Sequence, residues 1–234
     1  MAVSLTDSAL CTLADLKTEL GISGSGEDDT LKRMINAASA QIAGFCNRSF
    51  YYETGKVEYV AGYGPPYLRV SKYPLEAITS ILYLSSFSGT TGSTISSNDY
   101  VIRERDKQSG RIFREDGWLW TAAMLGGATY PAFPGTESPP YKVTYSGGYV
   151  TQQQDDDDNP SASVTRDLPY DLEDACIQLA AQRYLSSGDD RRINAQKLMS
   201  YSVTYSVTAQ SSTDIPASIK CVLNRYRRVP QSGR

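Results

Sequence analysis

Apolar and polar positions change rhythm several times along this chain. Leu31, Met34, Ile35, Ala38, Ile42, Phe45 and Cys46 return to one side of a 3.6-residue repeat, which predicts a helix ending near Asn47–Arg48. Before it, Thr12-Leu-Ala-Asp15 has capping-box spacing, Leu13, Leu16 and Leu20 follow at helical intervals, and Gly21 supplies a stop. Glu27, Asp28 and Asp29 suit the positive end of the longer helix. Leu172, Ala175, Cys176, Leu179 and Tyr184 predict a third helix, opened by Pro169 and the acids Asp171, Glu173 and Asp174. Ile215, Ile219, Val222, Leu223 and Tyr226 predict a fourth, starting at Asp214-Ile-Pro216, with Arg225, Arg227 and Arg228 in its last turn and Pro230 beyond.

Between residues 50 and 150 helical periodicity disappears and Tyr, Gly, Pro and Ser rise. Short strands are predicted at 57–61, 67–70, 78–84, 100–103, 111–114 and 141–145, separated by Gly- and Pro-rich turns. Residues 85–98 and 125–140 read as long loops and 152–158, QQQDDDD, as an acidic linker. The fold class expected is α+β: a body of about four helices with an inserted antiparallel β module. The expected parts are an N-terminal helical part at 1–50, the β module and linker at 51–164, and C-terminal helices at 165–234 carrying a strand at 200–208.

That strand has the strictest alternation in the chain. Tyr201, Val203, Tyr205 and Val207 take every second position and Ser or Thr fills the gaps. An unpaired edge of that length exposes backbone donors and acceptors. Three partners are open to it: the β module, a local bend using 197–200 or 209–212, or another copy of the chain. In the last case Tyr201, Val203, Tyr205 and Val207 form a subunit-interface strand.

Composition narrows the chemistry. The chain has 234 residues, 40% apolar and 21% charged, with net charge −3, which fits a globular protein and not a bulk nucleic-acid binder. No apolar run approaches ~18 residues, and the N-terminus lacks the pattern of a signal peptide, so a protein without membrane spans, staying in the cytoplasm, is expected. Histidine is absent, which removes Ser-His-Asp and Cys-His nucleophile systems. Cys11, Cys46, Cys176 and Cys221 form no C-x-x-C pair and read as small buried thiols. Asp155–Asp158 lack the spacing of a calcium loop. Glu104, Asp106, Glu115 and Asp116 offer a nonspecific carboxylate pairing for sugar hydrolysis. No phosphate-binding glycine motif is present. Catalytic residues, cofactors and metals are therefore expected to be none. Seventeen tyrosines against five phenylalanines suit interfaces and strands alike.

Three blocks in fixed order give a further reading: TLADLKTELGISGSGEDDTLKRMINAASAQIAGFCNRSF, then LPYDLEDACIQLAAQRY, then SYSVTYS with DIPASIKCVLNRYRR. The order and the Cys46-Asn-Arg48-Ser-Phe50 turn resemble the head–tail connector (adaptor) proteins of tailed bacteriophages, with the long β module as a departure. The resemblance implies a non-enzymatic ring in the virion neck, commonly of twelve copies, assembled in the host cytoplasm. It would dock beneath the portal protein, meet a stopper or tail protein, and let DNA pass without specific binding. It also implies that the final helix engages the portal, here through Ile215, Ile219, Arg225, Tyr226, Arg227 and Arg228. The alternatives are another neck protein, either a stopper or a tail-completion protein, or a carbohydrate-binding or carbohydrate-hydrolysing β module.

Overall fold

The computed structural model describes residues 3–60, 62, 65–84, 92–118, 141–158, 165–188, 195–198, 201–204 and 215–228. The fold is α+β, and the chain divides into two compact units. One comprises Met1–Arg48, Thr151–Asp157 and Asp167–Arg234; the other comprises Ser49–Val150 and Asp158–Arg166.

The first unit is helical. Helix α1 (Leu13–Leu20) starts at the expected capping box, with Thr12 and Asp15 bonding each other's backbone N–H. It ends in a Schellman turn: Gly21, at φ 66°, donates to Thr18 and Ile22 donates to Lys17. The loop that follows is held by Lys17, whose ammonium meets Asp28 and the Gly24 carbonyl. Helix α2 (Asp28–Cys46) buries Leu31, Ile35, Ala38, Ile42 and Cys46, the stripe read from the sequence. Later in the chain, α5 (Tyr170–Gly188) buries Leu172, Ala175, Cys176, Leu179 and Ala180. Helix α6 (Ala217–Leu223) buries Ile219 and Leu223. The α2 stripe packs on α5, and both helices meet α6. Cys11, Cys46 and Cys176 are buried, as their apolar settings imply, whereas Cys221 is exposed. The Cys11 thiol donates to Cys176 at 3.5 Å, and Ser39 lies 3.4 Å from the same sulfur.

The second unit is a β module with its own core. Strands β1 (Glu53–Val60), β3 (Leu75–Leu84), β4 (Gly92–Thr94) and β6 (Tyr141–Gly147) form an antiparallel sheet in the order β1-β6-β3-β4. Strands β2 (Tyr67–Arg69) and β5 (Arg111–Phe113) form a separate antiparallel ribbon, with the single helical turn α3 (Glu104–Lys107) preceding β5. Residues 141, 143 and 145 of β6 face inward and join Leu68, Ile81, Ile112 and Trp118 in one cluster. Tyr141 packs edge-on to Tyr83 at 5.5 Å and to Trp118 at 5.2 Å. Several tyrosines are thus core residues whose hydroxyls find partners. Tyr145 donates to Glu58 at 2.6 Å and accepts from the Lys72 backbone N–H. Burial, reinforced by that carboxylate, pushes the Tyr145 phenol well above its usual range. The Lys72 ammonium, 1% exposed, meets Glu53 at 2.7 Å and lies 3.6 Å from the Tyr51 ring centre. Burial lowers the Lys72 pKa; Glu53 opposes that shift. For Glu53 burial acts upward, but Lys72 and Lys56 outweigh it and hold the carboxyl low.

Four expectations are corrected. Gln152–Asp158 is not a linker but helix α4, because Thr151 and Gln154 bond each other's backbone N–H at its start. Residues 100–103 form no strand: Val101 alone bridges to Phe113, and the chain turns into α3. The span 85–98 is not all loop, since it contains β4. Helix α6 stops at Leu223, so its arginines follow the helix instead of filling its last turn. The expected loop 125–140 lies outside the described residues.

The strand at 200–208 finds its partner next door. Strand β8 (Tyr201–Thr204) pairs antiparallel with β7 (Ala195–Leu198), in the register Leu198↔Tyr201 and Gln196↔Val203. Of the three partners open to it, the nearest in sequence is used, the one with the lowest loop-closure cost. The remainder of the alternating stretch lies outside the described residues.

Gly148 closes the β module on itself. Its φ is 111°, and a Cβ there would strike the Tyr51 carbonyl. Gly148→Ala should destabilise the protein by about 2 kcal/mol or more, because it combines backbone strain with a collision. Denaturant unfolding followed by tryptophan fluorescence would measure it, Trp118 being buried in that module's core.

Candidate docking surface

Two helix ends meet in the helical unit. Helix α2 terminates in a second Schellman turn: Asn47, at φ 51°, donates to Gly44, and Arg48 donates to Ala43. This assigns physical roles within the Cys-Asn-Arg run. Cys46 is small enough for a buried last turn, and Asn47 tolerates the left-handed conformation. The Cys46 thiol lies 3.6 Å from the Leu223 carbonyl, at the end of α6. The Arg228 backbone N–H donates to the Cys46 carbonyl at 2.8 Å, satisfying an acceptor that α2 leaves open.

Arginines gather around these termini. The Arg227 guanidinium lies 5.6 Å from the centre of the Phe45 ring. Burial raises the Cys46 thiol to about 11, while Arg48 and Arg227 pull it the other way, so both cations act on that sulfur. Carbonyl ends of helices favour cations, by ~0.3–1 kcal/mol at exposed positions. Tyr226 donates to Asp171 of α5 at 2.6 Å, and Arg225 reaches the same carboxylate only at 4.0 Å. Tyr226 therefore ties the segment down, whereas Arg225 and Arg227 remain exposed and Arg228 half-buried.

The residues assigned to docking by resemblance separate into two groups. Ile215 and Ile219 are 5% and 4% exposed and belong to the core. Arg225, Tyr226, Arg227 and Arg228 lie together beyond the helix. Tyr201 and Val203 fall in β8, and Tyr205 and Val207 lie outside the described residues. Arg48, which the sequence reading did not assign to docking, lies beside this group but is itself buried, 8% exposed. The signal for it was present, since Arg48 directly follows the Asn47 stop of a helix whose end must be capped.

The carboxylates considered for sugar chemistry are occupied differently. Glu104 pairs with Lys107 at 2.6 Å, Asp106 is buried, and Glu115 and Asp116 are exposed in the turn after β5. A cleft of about 270 Å³ in the β module is lined by Tyr83, Ser93, Thr94, Asp99, Arg114 and Tyr141, among others, and none of those four acids reaches it. Among the described residues no group of three or more Cys, Asp or Glu is placed to hold a metal ion. Among the described residues no helix is long and apolar enough to cross a membrane.

Over residues 11–102 the chain matches the family of phage gp6-like head-tail connector proteins. The match begins one residue before the first block of the resemblance and continues through β4. Three solved structures are similar in fold. A chain in the neck of an empty gene transfer agent particle, computed with C6 symmetry, gives a TM-score of 0.53 at 15% identity, covering 100% of this chain and 96% of that one. A chain in the neck of the native particle, computed with C12 symmetry, gives 0.52 at 15% identity with the same coverage. A chain in the virion of the native particle gives 0.52 at 17% identity, covering 99% and 96%. The β module is therefore no departure from these folds, which extend across it. No curated protein matches the chain.

Asp171→Ala removes the acceptor that anchors Tyr226. It should cost about 1.5–3 kcal/mol of stability, the usual loss for a hydrogen bond to a charged group. Tyr226→Phe should cost a similar amount, and the double variant little more, since both delete one bond. Urea titration of the three variants measures this coupling.

Proposed function

We propose that this chain is a structural subunit of a head–tail connector ring, joining the capsid portal to the tail of a phage-type particle without turning over a substrate. The observation that carries the reading is the connector-family match over residues 11–102. The full-length likeness to chains in neck assemblies of C6 and C12 symmetry agrees with it. A ring of this kind uses one surface of each copy against a different surface of the next. Its location would be the virion neck, and its partners would be eleven further copies of itself in a twelve-membered ring, then the portal and a stopper or tail protein.

The arginine group after α6 is the portal-facing element in this reading. Ile215 and Ile219 hold the helix in the body, and Arg225, Arg227 and Arg228 present charge to an acidic surface on the portal. Strand β8, in which Tyr201 and Val203 alternate with Ser202 and Thr204, would contribute to contacts between copies.

Negative-stain microscopy of purified protein, alone and mixed with portal, tests the ring. Closed rings are expected, and a monomer under both conditions would refute the assignment. Truncation at residue 214 is a poor test of docking, because it removes Ile215, Ile219 and Leu223 from the core. Reversing Arg225, Arg227 and Arg228 to Glu leaves that core in place and should reduce portal binding at least tenfold, measured by co-sedimentation. Val203→Asp should impair assembly more than Ser202→Asp, since neighbouring strand positions face opposite sides; equal effects would remove the strand from the interface.

A further inference from the structure

Two buried thiols of the helical unit are in contact. The Sγ atoms of Cys11 and Cys176 lie 3.5 Å apart, and the residues are 1% and 0% exposed. They are 165 positions apart in the chain. Cys11 sits in a bend just before Thr12, the N-cap of α1, and Cys176 lies within α5. A disulfide needs the two sulfurs at about 2.05 Å, roughly 1.5 Å closer than they stand. The Cys11 side can supply that shift, because this residue belongs to no helix or strand. Cys46 is just as buried, but its sulfur faces the Leu223 carbonyl.

The surroundings make the two contacting sulfurs unequal. The Cys11 S–H donates to Cys176, and Ser39 Oγ lies 3.4 Å from the Cys176 sulfur. The Cys11 donor acts most strongly and lowers the Cys176 thiol pKa; burial opposes it, Ser39 and the Leu10 N–H add to the lowering, and Glu173 acts upward. Cys11 moves the other way. Its bond to Cys176 raises it, and burial and the negative charges of Cys176, Asp15 and Glu173 raise it further. Negative charge therefore settles on Cys176, and the thiolate is the form that attacks an oxidant.

We propose that Cys11 and Cys176 are an oxidisable pair that closes to a disulfide when the protein meets a peroxide, tying the start of α1 to α5 and stabilising the helical unit. The Cys176 thiolate attacks one peroxide oxygen and the O–O bond breaks. Cys176 becomes a sulfenic acid, and the departing hydroxide takes up a proton to leave as water. The Cys11 sulfur then attacks the Cys176 sulfur, the S–O bond breaks, and hydroxide leaves with the Cys11 proton as a second water. Two thiols and one peroxide give one disulfide and two waters. Once Cys176 is a sulfenic acid, the negative charge that held Cys11 protonated is gone. Peroxide is small, and the N-terminal segment offers its route. That segment is held on α2 by exposed hydrogen bonds, from the Val3 N–H to Asp29 and between Asn36 and both Ser4 and Thr6. Bonds of this kind open locally. The pair stays reduced in a reducing compartment and closes in oxidising surroundings. The long loop it closes removes much of the freedom of the unfolded chain. The cross-link lies within the helical unit, so it does not depend on ring formation.

The full-length Cys221→Ser protein tests this, because it lacks the exposed thiol. After dilute hydrogen peroxide, thiols titrated in the unfolded protein should fall from three to one. A non-reducing peptide map should join the Cys11 and Cys176 peptides and leave Cys46 free. The urea midpoint should rise by about 1 M, and reduction should reverse the rise. In Cys11→Ala/Cys221→Ser the same treatment should give no linked peptides and leave the midpoint where it was. If either variant fails to fold by circular dichroism, the peptide map of the wild-type chain gives the same reading. Three thiols remaining after peroxide, or a link that involves Cys46, overturns the proposal. So does addition of two oxygens to Cys11 or Cys176 in place of a link. A linked protein whose urea midpoint is unchanged or lower also overturns it.

Discussion

The helical unit depends on one apolar contact, the stripe of α2 against α5 and α6. Leu31, Ile35, Ala38, Ile42 and Cys46 are fully buried; α1 packs on α2 from before it, but α5 and α6 begin only at residue 170. Neither end of the chain can bury its apolar side alone. The loop between them is long, but closure entropy grows only with the logarithm of loop length. A β module with its own core can therefore be accommodated between residues 49 and 150 at modest cost to the helices. This also accounts for the two Schellman turns. A helix whose partner arrives late must end at a defined residue, and Gly21 and Asn47 each stop theirs by adopting a conformation that most residues avoid.

The parts legible in the sequence are those where local chemistry and tertiary packing agree. Thr12, Asp15, Gly21 and the α2 stripe point to the same helices by capping, propensity and periodicity at once. The misreadings occur where one signal conceals another. The Asp155–Asp158 run suggested a solvated linker and concealed the Thr151/Gln154 box that starts α4. The Tyr201 strand left three partners open, and the local one preceding it, β7, is the one it uses. Tyrosine was weighed between interface and strand, and Tyr141 and Tyr145 follow the strand reading, in the core of β6, with the Tyr145 hydroxyl satisfied. The parity of a residue in a strand does not tell which side of the sheet will be covered. That depends on where a second layer, here the β2–β5 ribbon, happens to pack.

Net charge conceals the electrostatics in the same way. A total of −3 excludes a uniformly basic protein, yet it is compatible with two local concentrations of arginine. In the helical unit, Arg48 and Arg227 stand at the carbonyl ends of α2 and α6, where the backbone itself supplies partial negative charge. On the β2–β5 ribbon Arg69 and Arg111 are register partners, and Arg103 stacks on the Phe113 ring. The first arrangement is favourable in the isolated chain.

A docking surface built from arginines is only as well defined as the apolar side beneath it. Arginine has many rotamers, and fixing one against a partner costs entropy unless the backbone and the stem are already placed. After α6 this placement comes from Ile219 and Leu223 in the core, from the Tyr226–Asp171 bond, and from the Arg228 backbone bonded to the end of α2. A sequence motif shows the cations and cannot show these supports, because each support joins residues far apart in the chain. For this reason Ile215 and Ile219, which share a helical motif with the arginines, serve as anchors, while Arg48, outside that motif, is buried beside them.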